Sequence, residues 1–162
     1  MARAPTISTC LHFAGNAEDA VTHYTSIFPD SRILAVHRYG EGAPRPAGDA
    51  MLLTFELFGT RFHAINGTAD WHFTEAMSLM AWCEDQVELD RCWDALLEGG
   101  GQPVACGWLR DRFGVCWQVV PRQLEALMSS GDQAAKDRVM HALWGMVKLD
   151  IAALEAARRG PT

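Results

Sequence analysis

Sliding the sequence along itself by one fixed distance lays its first half on its second. Tyr24 falls on Trp93, and 93 − 24 = 69; the same shift carries Asn16 onto Asp85, Ile27 onto Leu96 and Thr9 onto Ser78. Asn and Asp are both N-cap residue types, and each stands ahead of a helical apolar period, so helix start meets helix start. Identity between the halves is low. One offset that matches caps, apolar positions and strand starts is the mark of a structural repeat.

Each half reads in the same order. "TISTCLHF" (6–13) is β-like, and "NAEDAVTHYTSIF" (16–28) is a helix capped by Asn16, with Glu18 and Asp19 in its first turn. "SRILAVHRY" (31–39) is β-rich, "GEGAPRPAG" (40–48) is a loop, and "AMLLTFELF" with "TRFHAIN" forms a hairpin joined at Gly59-Thr60 and ending near Asn66. In the second half "AMSLMAWC" (76–83) is a strand. "DQVELDRCWDALLEGG" (85–100) is a helix opened by a capping box of Asp85 and Glu88. "GQPVAC", "GWLRDRF" and "VCWQVVP" supply three further short strands. After Pro121 the pattern changes. "RQLEALMSS" is a short helix, Ser130-Gly131-Asp132 ends it and caps the next, and "QAAKDRVMHALWGMVKLDIAALEAARRG" reads as one long amphipathic helix with Val139, Leu143, Met146 and Val147 in its apolar stripe. The expectation is one α+β domain over residues 1–162. It comprises two βαβββ modules (6–66 and 76–121) that form a curved, mixed eight-stranded sheet, and a helical extension (122–160).

Composition narrows the function classes. A chain of 162 residues can bury a real core, and its net charge of −6 disfavours a nucleic-acid partner. The start "MARAPTISTC" lacks a signal-peptide pattern, and no apolar run is long enough for a bilayer, which makes a cytoplasmic protein the expectation. Five cysteines without a CxxC pair read as free thiols rather than a disulfide framework or a zinc site.

Two such modules in one small chain resemble the vicinal-oxygen-chelate (glyoxalase/bleomycin-resistance) superfamily. The blocks "CLHFAGNAEDAVTHYTSIFPDSRI", "FHAING", "EAMSLMAWCEDQVELDRCWDALLEGG", "CGWLRDRFGVCWQVVP" and "VMHALWGMVKLDIAALEAA" resemble its PhnB-like family, often labelled 3-demethylubiquinone-9 3-methyltransferase. The resemblance runs over roughly residues 6 to 157. It implies a cup in which metal-using relatives hold a divalent ion by His, Glu or Gln. Carried over by pattern, those positions fall on Thr9, Ser78, Gln118 and, near the end of the hairpin, Asn66. Hydroxyls and amides are poor ligands for a catalytic transition metal and good neutral partners for a small organic molecule. The expectation is therefore a small-molecule cup with no metal and no cofactor.

Six histidines give the metal reading its test. Strand alternation turns His12 away from Thr9 toward the helix layer, and His63 is out of phase with Asn66. His23 and His141 stand on helices, and His37 on an outer strand. His72 and Glu75 have i, i+3 spacing without a second pair. Were a metal bound, His63, His72 and Glu75 would be the first candidates.

By alternation Leu11, Met80, Trp82 and Cys116 join Thr9, Ser78 and Gln118 on the cup face, with Trp117 and Val119 against the helices. Arg110 and Arg112 share a face and are candidate anion contacts; whether that face is the cup stays open, as does Trp108 as wall or core. Three functions compete: a metal-free binding cup with or without chemistry, a metal-dependent lyase or dioxygenase, and the methyltransferase of the label. The last lacks a Gly-rich strand-to-helix turn, since Gly99-Gly100-Gly101 follows a helix and reads as its C-cap. Sheet edges and the apolar helix stripe predict a homodimer.

Overall fold

A computed structural model describes residues 7–160, so Thr6, the expected start of the first strand, lies outside the described residues. The chain divides into two compact units at His72/Phe73, one for each βαβββ module.

The first unit runs β1 (Thr9–Phe13), α1 (Ala17–Ile27), β2 (Arg32–Arg38), β3 (Ala50–Leu57) and β4 (Thr60–Asn66). Its strands lie in the order β1-β4-β3-β2, with β1 parallel to β4 and the other pairs antiparallel. Leu11, Phe13, Leu53, Phe55 and Ala64 are buried on the side that meets the apolar face of α1, which carries Ala20, Val21, Tyr24 and Ile27. The hairpin turns one residue earlier than expected. Leu57 pairs with Thr60, and the two residues between them, Phe58 and Gly59, both take positive φ (47° and 73°). Two successive left-handed residues match the strand twist, so the non-glycine Phe58 is held in strain there. Its amide donates to the Ser31 hydroxyl (3.2 Å), and its ring packs 5.3 Å from that of Phe28.

The second unit repeats the plan with β5 (Leu79–Cys83), α2 (Gln86–Leu97), β6 (Gln102–Pro103), β7 (Trp108–Arg110) and β8 (Cys116–Pro121), ordered β5-β8-β7-β6. Half of the expected capping box forms, with Asp85 Oδ1 accepting from Glu88 N at 2.8 Å, while Glu88 Oε2 reaches past the cap and accepts from Glu84 N at 2.8 Å. Asn16, by contrast, makes no side-chain cap. Asn66 on β4 does that work, its Oδ1 accepting from Ala17 N at 2.8 Å.

The expected long C-terminal helix is broken. After α3 (Gln123–Ser129), α4 (Gln133–Trp144) stops at Gly145 and α5 (Ile151–Arg159) begins afresh, capped by Asp150, whose carboxylate accepts from Ala153 N. Between them the backbone turns to other partners. Cys106 N donates to Met146 O and Gly107 N to Val147 O, each at 2.8 Å. Helical periodicity in the sequence could not register these competing carbonyl partners. Of the expected stripe, Val139 and Leu143 are buried but Val147 is exposed. Among the described residues no helix is long and apolar enough to cross a membrane.

Candidate functional site

The repeat has two offsets, and the difference decides which side chains face where. Helix caps are related by 69 (Asn16 to Asp85), but the strands are related by 79 − 9 = 70. Thr9–Phe13 and Leu79–Cys83 then share the same sequence of burial, position for position. Two residues, Ala14 and Gly15, separate β1 from Asn16, whereas Glu84 alone separates β5 from Asp85. Gly15, at φ 130°, sits in the longer link. One residue of slip in a strand exchanges its faces.

In the second unit the expected phase holds. Leu79, Ala81, Cys83, Trp117 and Val119 alternate with the other set, and their side packs on α2. The opposite face carries three rows fixed by register. Arg110 lies opposite Cys116, Gln118 lies between Trp108 and Met80, and Val120 lies opposite Trp82. Gln118 Nε2 donates to Ser78 Oγ at 2.9 Å. Met80 is 44% exposed, while Trp82, Trp108, Arg110 and Gln118 are half-buried. Cys116 and Val120 share this face but are covered.

In the first unit the phase is reversed. Leu11 is only 5% exposed and lies on the helix side, and Thr9 shares its parity. Asn66, at 2% exposure, is also on that side, its Nδ2 donating to Ala50 O at 2.9 Å. Thr9, Leu11 and Asn66 are therefore not cup residues. His12 shows the same error from the other direction. It faces away from α1, its ring 4.6 Å from that of Trp71. The residues matching Ser78 and Gln118 are Ser8 and His63, with Ser8 Oγ 2.9 Å from His63 Nδ1. The signal was present in "CLHF": Leu11 and Phe13 are the apolar pair, so Cys10 and His12 must take the other face.

The two arginines part company. The strand ends at Arg110, which pairs with Glu75. Arg112 lies in the following turn over the Phe113 ring, 4.8 Å from its centroid. The turn is organised by buried Asp111. Its Oδ1 accepts from Phe113 N (2.8 Å) and Val115 N (3.0 Å), and its Oδ2 from Trp117 Nε1 (2.8 Å). Asp111 is the anchor of the hairpin.

Charge on the site face centres on Arg110. Glu75 is held below the usual carboxylate range by its own backbone N–H and then by Arg110. Arg110 is pushed up by Glu75 and, more weakly, by the Cys116 thiol. All five cysteines are free thiols. Cys83 and Cys92 hydrogen-bond to each other on the helix side of the second sheet, which pushes Cys83 up and holds Cys92 down. Among the described residues no three His, Cys, Asp or Glu side chains gather as a metal site. His63 is engaged with Ser8, Glu75 with Arg110, and His72 lies 3.8 Å from Asp70. The metal that the fold family implies does not fit this donor set, because Ser78 and Gln118 supply a hydroxyl and an amide, and the imidazole of His63 is engaged with Ser8.

A family model described as 3-demethylubiquinone-9 3-methyltransferase matches residues 5–120. The chain belongs to this PhnB-like family. A PhnB protein from Bacillus cereus, described as a candidate 3-demethylubiquinone-9 3-methyltransferase, is 35% identical, with 72% of this chain and 99% of that one covered and a TM-score of 0.68. A protein of Pseudomonas aeruginosa shares the fold at 23% identity, covering 73% of this chain and 98% of its own, with a TM-score of 0.61. A glyoxalase/bleomycin resistance protein from Albidiferax ferrireducens also shares it, at 12% identity, 72% and 98% coverage and a TM-score of 0.50. No curated protein matches this sequence. The PhnB-like match ends at residue 120, so α3, α4 and α5 lie beyond it.

Proposed function

We propose that this chain binds a small organic molecule, without a metal, on the face of the second sheet that carries Ser78, Met80, Trp82, Trp108 and Gln118. The Ser78–Gln118 hydrogen bond carries this reading. It uses one Gln118 proton and one Ser78 lone pair, leaving the amide carbonyl and the hydroxyl proton free to read a ligand. Met80 and the two tryptophans supply the apolar floor beside them. Methyl transfer, the reading of the family description, draws less support. The glycine run stays where a C-cap belongs, closing α2 with Gly101 N donating to Leu97 O at 2.9 Å.

Gln118→Leu tests the site. Gln118 and Ser78 are both part-exposed, so water can replace the lost bond, and stability should fall by less than about 1 kcal/mol. Ligand co-purifying with the wild type should be lost. Retention of that ligand by the variant would remove Gln118 from the site.

We also infer a cytoplasmic homodimer. The sheets end in the edge strands β2 and β6, and Trp144 and Val147 are exposed on the C-terminal segment. Native mass spectrometry of protein purified without chelators checks assembly and metal together. The expected species is a dimer with no stoichiometric transition metal. A monomer at micromolar concentration would overturn the first inference, and one metal per chain the second.

A further inference from the structure

On the proposed binding face, Arg110 is the only residue of the three strand rows with a permanent positive charge, and a carboxylate already sits on it. That carboxylate belongs to Glu75, in the segment just before β5. The pair is accessible: the Arg110 and Glu75 side chains are 43% and 60% exposed. An ion pair this exposed is weak and exchangeable, unlike one locked in a core. Behind Arg110 lies Cys116, and two residues along the same strand lies Trp108. Side chains at i and i+2 of a strand stand roughly 7 Å apart on one face. An aromatic ring with a carboxylate one or two bonds beyond it is shorter than this, and the long Arg110 side chain, leaning along the strand, closes the difference.

We propose that the ligand of this face is a planar aromatic carboxylate, whose acid group takes Arg110 from Glu75 while its ring lies over Trp108 and Met80. This rests on the small-molecule reading above and names its ligand class. Glu75 is then an internal stand-in for the ligand's acid. A guanidinium offers a fork of donors that accepts a carboxylate in either of two arrangements, so exchange of one acid for another leaves no donor stranded. A neutral ligand of the same shape would have to leave Glu75 in place or break its ion pair without replacing it.

Phenylacetate and phenylacetamide share ring and length and differ in charge, which makes them the probes. Binding is followed by the indole N–H signals in NMR, with Trp82→Phe and Trp108→Phe identifying the two site tryptophans among the six in the chain. Phenylacetate should move the Trp108 and Trp82 signals and bind more tightly than phenylacetamide. Glu75→Gln removes the internal competitor and should tighten phenylacetate about threefold, the scale of one exposed ion pair. Arg110→Met should erase the preference for acid over amide; unchanged dispersion of the remaining signals shows that the variant is folded. Equal binding of both probes, unaffected by Glu75→Gln, would overturn the carboxylate assignment and leave the binding face standing. If neither probe moves Trp82 or Trp108 at saturating concentration, both the carboxylate assignment and the binding face are overturned.

Discussion

Replacing Asp111 with Ala should cost about 3–5 kcal/mol of stability, the largest effect of any single substitution in the second unit's hairpin. The carboxylate is 4% exposed and accepts from two backbone amides and the Trp117 indole. Its removal takes away the acceptor these three donors share, and those of Val115 and Trp117 belong to buried residues. Charge-assisted bonds of this kind are about twice as strong as neutral ones, so Asp111→Asn should recover little. An amide restores one oxygen but can present an N–H toward Trp117 Nε1, donor against donor. Arg112→Ala, one residue on, removes only an exposed ring contact and should cost less than about 1 kcal/mol. Urea unfolding at neutral pH measures all three. A value for Asp111→Ala within 1 kcal/mol of wild type would remove Asp111 as the anchor.

Asn66→Ala should cost about 2–4 kcal/mol, because it strands the first helical amide of α1 and the Ala50 carbonyl in a buried setting. It should leave ligand retention unchanged. Gln118→Leu is expected to behave oppositely, nearly neutral for folding and decisive for the ligand. The two amides looked alike in the sequence, and chemical unfolding alongside native mass spectrometry separates them. Loss of ligand from a folded Asn66→Ala protein would return Asn66 to the site.

The order of elements was legible in both modules, but strand alternation was in phase only on β5 and β8 and reversed on β1 and β4. Ser78, Met80, Trp82 and Gln118 stand on the face that alternation assigns, because β5 and β8 are short, regular and bounded by strong apolar partners. Thr9, placed by the family pattern in agreement with the helix offset, and Leu11, placed by alternation from it, are out of phase because Gly15 adds a residue between strand and cap. Asn66 failed for a related reason. A polar residue at a strand end looks the same whether it greets a ligand or caps a neighbouring helix, and only the tertiary contact with Ala17 distinguishes them. The C-terminal pattern kept a helical period through Gly145, where Cys106 and Gly107 offer Met146 and Val147 hydrogen bonds that no local rule anticipates. Arg112 was assigned strand geometry that ended two residues earlier.

Those last hydrogen bonds make the C-terminal segment a structural part of the family domain rather than an appendage. The family match stops at residue 120, yet the amides of Cys106 and Gly107 within it find their acceptors at 146 and 147. Leu149, 1% exposed, rests against Gly107, where a Cβ would approach its Cγ to 3.0 Å. Gln86 at the start of α2 bridges the same segment, donating to Leu149 O (3.2 Å) and accepting from Ile151 N (2.9 Å). A chain cut after Pro121 would therefore carry two bare donors at the entrance to β7, the strand that holds Trp108 and Arg110. Slowed deuterium uptake at positions 106 and 107 is then a local gauge of whether the tail is seated. The proposed binding face and the docked tail share one strand, so whatever loosens the second should be felt in the first.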